Sequence, residues 1–328
     1  MKKRKLGNTG LELTELGFGG GAIGGLYRAV SREAAFETMD AAWASGMRYF
    51  DTAPFYGFGL SERRVGDFLR DKPRDEFVLS SKVGKILSAV PEEKVPDFGF
   101  VNPLPFDVHY DYSYDGIMRS YEFSLARLGL NRIDILYVHD LEAPSLGLDE
   151  YRRHFRIFMD SGIRALDELK AAGAIKAFGL GVNDVGVCLD VLSRDSLDCI
   201  LLAGRYTLLD RTASARLLGV CEKAGTSLVI GGVFNSGILA TGAVPGAFFN
   251  YEPPSDDIVN RVNAMRKIAE DDGVSLAATA LQFPLRNSSV ASILIGTAKP
   301  SSLTRNIDLL SARLPEESWA QFDSVAVF

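Results

Sequence analysis

Four polar residues stand at or just after short β-branched or aromatic runs: Asp51 closes MRYFD, Tyr56 follows in DTAPFY, Lys82 ends FVLSSK and His139 ends DILYVH. Each has an ordinary structural reading when taken singly, as a capping Asp, a turn Tyr, a snorkelling Lys and a satisfied core His. Together they suit proton transfer by tyrosine. A phenol ionises near about 10, and a neighbouring ammonium favours the phenolate and lowers that value. Lys82 would supply the cation, Asp51 would hold the lysine charged and in place, and His139 would donate a hydrogen bond to a substrate oxygen. Tyr56 then gives a proton to a carbonyl oxygen or takes one from a hydroxyl, a step typically worth about 10² to 10⁴ in rate. Hydride movement in the same reaction needs a nicotinamide, because no side chain carries hydride.

These residues act together only if the fold brings the ends of their runs to one place. Candidate strands begin at Leu16, Met47, Phe77, Asp134, Ile175, Cys199, Ser227 and Ser292. Helix-period segments lie between them, over 31–45, 61–69, 113–128, 161–172, 184–192, 213–224, 255–285 with a break near Gly273, and 301–310. Several open at Ser or Asp, whose side-chain oxygens satisfy the free N–H groups of a helix start. Such alternation over the whole chain predicts an α/β fold, a single (β/α)8 TIM barrel over residues 1–328 with an N-terminal β-hairpin and long loops on its C-terminal face. The segment 85–114 carries four prolines and the aromatics Phe98, Phe100, Phe106, Tyr110, Tyr112 and Tyr114. It follows the third strand, so it is expected as a loop insertion over the active site, a lid or substrate wall.

Composition narrows the class. The 328 residues are 47% hydrophobic, which is ample for a large core, and 36 Lys plus Arg against 42 Asp plus Glu give a net charge of -6. That charge offers no bulk attraction to nucleic acid or an anionic membrane. The opening MKKRKLGNTG is followed by LELTELGFGG, whose glutamates break any signal-peptide core, and no window reaches the roughly eighteen apolar residues of a membrane helix. A cytoplasmic protein is expected. Cys188, Cys199 and Cys221 form no CxxC pair and read as small buried hydrophobes in a reducing compartment. No metal site is expected, since His109, His139 and His154 lack ligand spacing.

The stretches FDTAPFYGFGLSE, FVLSSKVG, RLGLNRIDILYVHD, MDSGIRALDELKAAGAIKAFGLGVN and SILIGTAKPSSLTRN resemble the successive motifs of the aldo-keto reductase superfamily. The resemblance runs from RKLGNTGLELTELGFGG to the last helix. It implies a (β/α)8 barrel using NAD or NADP, with Asp51, Tyr56, Lys82 and His139 as the catalytic tetrad. DYSYDGIMRSYEFSLARLGL, LLAGRYTLLD and GGVFNSGILATG are similar to its sugar-oxidising branch, which holds D-threo-aldose, L-fucose and L-galactose dehydrogenases, with pyridoxal 4-dehydrogenase close by.

By this resemblance the cofactor is expected on Gly20, Gly21 and Asp51 beneath the nicotinamide, with Asn183 toward its carboxamide. Phe234, Asn235 and Gly237 are expected around the pyrophosphate, and Gly296, Thr297, Ala298, Lys299, Ser302 and Asn306 at the adenosine end. Where NADP-specific relatives place a lysine and an arginine, this chain has Gly296 and Ser302. A charged hydrogen bond contributes roughly 1.5 to 3 kcal/mol, so their loss favours NAD, with Lys299 the remaining candidate for a contact to a 2′-phosphate. Phe55, Phe106 and Tyr112 are expected at the substrate. The implied reaction is oxidation of an aldose of the L-fucose, L-galactose or D-arabinose type at C1 to its lactone. Oxidation of pyridoxal and reduction of an aldehyde or ketone stand as alternatives. The superfamily also contains potassium-channel β-subunits, so a nicotinamide-binding regulatory subunit is a further reading. A small-molecule partner is expected, and homo-oligomerisation is left open.

Overall fold

The computed structural model of the chain describes residues 1–250 and 252–327. An antiparallel hairpin, β1 (Lys3–Lys5) and β2 (Glu12–Thr14), opens the chain. The eight expected strands follow as β3 (Leu16–Gly19), β4 (Tyr49–Asp51), β5 (Val78–Val83), β8 (Ile135–His139), β9 (Ala177–Val182), β10 (Cys199–Ala203), β11 (Ser227–Gly231) and β12 (Val290–Gly296). They pair in parallel in the order β3-β4-β5-β8-β9-β10-β11-β12, and β12 closes on β3. The result is the (β/α)8 barrel that the alternation of runs predicts.

Two apolar layers hold it. Inside the barrel, Tyr49, Ile135, Tyr137, Cys199, Val229 and Leu294 pack with Leu6 and Leu13 of the N-terminal hairpin. The outer layer joins strand residues such as Phe50, Leu136 and Ile293 to the apolar faces of the helices. Gly17 makes the inner layer fit, because a Cβ there would lie 2.6 Å from the Tyr49 ring. Helices start where oxygen caps stand: Ser31, Ser113, Ser255 and Ser275 each accept from a backbone N–H of the first turn, and Asp184 does so for the helix at Val185–Leu192.

The structure corrects three expectations of shape. The helical stretch expected from Ser161 begins earlier, as Leu148–Ile157 and Ile163–Ala171 joined through one π turn at Phe158–Gly162. Helix Leu60–Leu69 is capped by Gly59, not started at Ser61, whose hydroxyl is buried and bonded to the Gly20 carbonyl. The segment 85–114 is not a plain loop. It holds a second hairpin, β6 (Lys85–Ala89) paired antiparallel with β7 (Phe106–Tyr110). Between these strands the chain is pinned back to the barrel by Tyr27 N–H donating to Gly99 O at 2.8 Å and Val101 N–H donating to Gly25 O at 2.9 Å.

Gly84 sets the turn from β5 into β6. Its φ is +96°, and a Cβ would lie 2.3 Å from the Tyr112 ring, so only glycine fits. We therefore expect Gly84→Ala to cost at least about 1–3 kcal/mol through backbone strain and the clash with Tyr112. Gly219→Ala, where an added Cβ meets nothing within 4 Å, serves as the control and should leave Tm unchanged or raised. Paired thermal melts read the difference.

Candidate active site

The carboxyl ends of β4, β5 and β8 deliver Asp51, Lys82 and His139 to one mouth of the barrel. Tyr56 comes from the turn after β4, which is curled by three successive left-handed residues, Gly57, Phe58 and Gly59. Gly57 is required there, since its Cβ would meet the Gly24 carbonyl at 2.2 Å. All four residues predicted to carry the chemistry meet in space.

Lys82 Nζ donates to Asp51 Oδ2 at 2.7 Å and to the Thr52 carbonyl at 3.0 Å. Ser80 donates to the other carboxylate oxygen at 2.7 Å, and its hydroxyl lies 3.0 Å from that of Tyr49, which in turn lies 3.0 Å from that of Tyr137. A chain of hydroxyls thus runs from the ion pair into the barrel interior. Desolvation works against the Lys82 charge, but Asp51 and Tyr56 outweigh it and raise its pKa, so it stays an ammonium. Burial lifts the Asp51 carboxyl above its ordinary value against the pull of Lys82.

Lys82 Nζ lies 4.6 Å from the centre of the Tyr56 ring. The sequence predicts a phenol lowered by this cation, and Lys82 does pull it down, but a larger opposing effect prevails. Burial dominates, and the hydroxyl is pushed up to about 12 with Lys82 opposing. The His139 ring stands edge-on to Tyr56, with centroids 5.8 Å apart. Burial holds its imidazole well below the ordinary value against the opposing effect of Asp140, so His139 is neutral at pH 7. Its backbone is fixed from beneath by the Tyr112 hydroxyl, which donates to the His139 carbonyl at 2.7 Å.

A cavity of about 280 Å³ opens over these groups, walled by Phe55, Phe98, Phe100 and Tyr27 on one side and by Gly181, Val182 and Asn183 on the other. A second cavity of about 380 Å³ shares Asn183 and Ala203 with the first and is lined by Gly204, Arg205, Gly232, Asn235 and Ser236. The two adjoin at Asn183 and Ala203, an arrangement an elongated dinucleotide would span. Gly204 and Gly232 let backbone approach closely, and Arg205 lines the same cavity with its guanidinium held by Asp210 at 3.0 Å and by the Asn183 carbonyl at 2.8 Å.

The other expected residues fall as follows. Gly20 touches Asp51 through its N–H, 2.8 Å from the Asp51 carbonyl, and has no room for a Cβ, while Gly21 faces the Tyr56 ring. Asn183 borders both cavities and is held by Glu142, which accepts from its backbone N–H at 2.6 Å and its side chain at 3.1 Å. The Asn235 amide is engaged by Thr207 and by the Gly204 carbonyl, Phe234 packs against the core, and Gly237 caps the short helix Ile238–Thr241. Gly296, Thr297, Ala298 and Lys299 run from the end of β12 into the helix Pro300–Leu309, which carries Ser302 and Asn306.

Two substrate expectations are corrected. Tyr112 is fully buried and supports His139 from behind, and Phe106 packs in the hairpin cluster with Phe58, Leu87 and Phe100. Phe55 does line the cavity. Sequence reasoning missed Glu142, Arg205 and the pair Lys85 and Asp140. The run DLE directly after β8 was the available signal for two of them.

This barrel and mouth place the chain in a class of oxidoreductases: it belongs to the aldo/keto reductase family, whose profile covers residues 15–327. Members of that family use NAD(P)(H). The chain is 44% identical to pyridoxal 4-dehydrogenase of Microbacterium luteolum, covering 98% of this chain and 97% of that one. It is 38% identical to D-threo-aldose 1-dehydrogenase of a Pseudomonas species, over 95% and 94% of the two chains. Among solved structures, an aldo-keto reductase from Bacillus halodurans in its holo form superposes with a TM-score of 0.77 at 26% identity, covering 100% of this chain and 97% of that one. Among the described residues no helix is long and apolar enough to cross a membrane, and no cluster of His, Cys, Asp and Glu could hold a metal ion. All three cysteines are free and buried.

Removing one charge of the mouth tests how the pair is held. Lys82→Met removes the one cation beside the buried Asp51 carboxyl and leaves it only the Ser80 hydroxyl, a loss of about 3–5 kcal/mol. Adding Asp51→Asn should restore more than half of that stability without restoring activity. Chemical denaturation of the two variants, followed by fluorescence, checks it.

Proposed function

We propose that the chain is a dehydrogenase that oxidises the hydroxyl of a cyclic hemiacetal to a lactone, with NAD favoured over NADP. The observation that carries it is the half-buried Tyr56 set on the buried Lys82, Asp51 and His139 beneath a cavity of about 280 Å³, a volume suited to a single six-membered ring. An aldose closed on C1 is such a hemiacetal. Pyridoxal, whose aldehyde closes on its neighbouring hydroxymethyl group, is another. The aromatic wall of Phe55, Phe98 and Phe100 favours the flat ring of the second, and the same faces stack on the C–H face of a sugar.

In this reading Asp51, Tyr56, Lys82 and His139 are the catalytic residues. His139 Nε2–H donates to the hemiacetal oxygen and orients it, and the Tyr56 oxygen takes its proton. Lys82 stabilises the phenolate that accepts that proton, and Asp51 holds Lys82. A bound nicotinamide supplies the hydride chemistry. Asn183, Arg205 and the turn at 234–237 would hold it, with Gly296, Thr297, Ala298, Lys299, Ser302 and Asn306 at its adenosine end. The absence of an arginine at Ser302 supports NAD. The hairpin β6–β7 and the segment between its strands form the substrate wall over the mouth.

Spectrophotometry at 340 nm with NAD and NADP against L-fucose, L-galactose, D-arabinose, L-xylose and pyridoxal tests the reading. Reduction of NAD by one group of sugars, or by pyridoxal alone, is the expected outcome. Silence across the panel with good aldehyde reduction overturns it.

The raised Tyr56 value sets a pH dependence. Oxidation needs the phenolate, so kcat/KM should rise with pH between 6 and 9, whereas reduction needs the phenol and should not rise. Tyr56→Phe should lower oxidation by about 10² to 10⁴ and flatten the profile. Steady-state rates across that range provide the check.

A further inference from the structure

A second buried ion pair stands beside His139, on charges the tetrad does not use. Lys85 Nζ lies 2.5 Å from Asp140 Oδ2, and the same oxygen is 3.5 Å from His139 Nε2. Lys85 is sealed from solvent under the Phe55 ring, 3.9 Å from its centre, while the Asp140 side chain keeps 17% of its surface open. That opening faces the catalytic cavity, which Asp140 lines.

The backbone spends energy to aim it there. Asp140 sits at φ +49°, a left-handed conformation that costs a non-glycine residue about 1 kcal/mol or more, and its N–H is tied to the Gly181 carbonyl at 2.9 Å. Gly84 does the matching work on the other side, turning the chain so that Lys82 and Lys85 reach the same mouth. An ionised carboxylate has about four acceptor sites, and Lys85 occupies one. Acceptor capacity in a walled cavity therefore remains for a ligand.

We propose that the Asp140 carboxylate, anchored by Lys85, is a recognition site for a substrate hydroxyl next to the carbon that reacts. An oxygen bonded to His139 Nε2 lies about 3 Å from that nitrogen. A hydroxyl on the adjacent carbon then falls within reach of Asp140, whose oxygen is 3.5 Å from the same nitrogen. The site would thus take α-hydroxy aldehydes and their cyclic hemiacetals, and would penalise analogues that leave a buried carboxylate unmatched. This deepens the function proposed above and rests on its placement of His139.

The test compares 2-hydroxypropanal, as each enantiomer, with propanal in NADH-dependent reduction, so it does not require hemiacetal oxidation. The wild-type protein should favour one hydroxylated enantiomer by about 10- to 100-fold in kcat/KM, chiefly through KM. In Asp140→Asn that ratio should fall below about 3-fold. Because Asp140→Asn leaves Lys85 unpaired, the double variant Lys85→Met with Asp140→Asn removes both charges and should show the same collapse. The change in the ratio from wild type to variant cancels the intrinsic reactivity of the two aldehydes. Equal losses on both aldehydes mark a purely structural pair and overturn the proposal, as does a wild-type protein without preference for, or turnover of, 2-hydroxypropanal. A collapsing ratio in a protein that oxidises no hemiacetal sustains the recognition site while removing the lactone-forming reading.

Discussion

Two opposite charges lie 2.7 Å apart at the barrel mouth, Lys82 with 1% and Asp51 with 3% of its side chain exposed, and either one alone would be costly to bury. Their pairing constrains everything around them. Asp51 ends β4 and Lys82 lies near the end of β5, so these parallel neighbours must hold the register that pairs Asp51 with Ser80. Ser80 then reaches the carboxylate oxygen that Lys82 does not use. The hydroxyls of Tyr49 and Tyr137 extend that network inward, so the polar atoms of the inner barrel layer are satisfied by one another.

The pair also explains why Tyr56 is held without being activated outright. Burial raises the cost of a phenolate more than Lys82 lowers it, so the resting group is a phenol. A phenol is ready to donate, and it becomes a base only when pH or further positive charge in the cavity offsets the desolvation. The same environment keeps His139 neutral, with Nδ1 buried and without a hydrogen-bond partner among the described residues. The carboxylate of Asp140 beside Nε2 favours the tautomer with its proton on that nitrogen, the form able to donate into the cavity.

Much of this was legible in residue order. Strands such as Ile135–His139 and Val290–Gly296 are mostly β-branched and apolar runs, because parallel barrel strands are buried on both faces. Helix starts at Ser31, Ser113 and Ser255 carry a local chemical signal in the cap itself. The hairpin β6–β7 was not legible, since its strands are separated by a proline-bearing stretch and its pairing is set by the turn at Gly84 and by contact with Leu26 and Tyr27. Tyr112 was misplaced for a related reason. An aromatic next to a chain of aromatics reads as wall, and only the fold shows that its hydroxyl is used by the His139 carbonyl.

The wall and the charges divide recognition between them. Phe55 serves both: its ring lies over Lys85, and its edge meets His139 with centroids 6.0 Å apart. A ring system seated against Phe98 and Phe100 therefore presents its polar side to the neutral imidazole and the Asp140 carboxylate. Each of the two ion pairs is internally neutral, so the mouth carries no net charge and does not favour an anionic substrate over an uncharged one. In the function proposed above, it takes a neutral ring whose hydroxyls replace, group by group, the water lost when the ring enters.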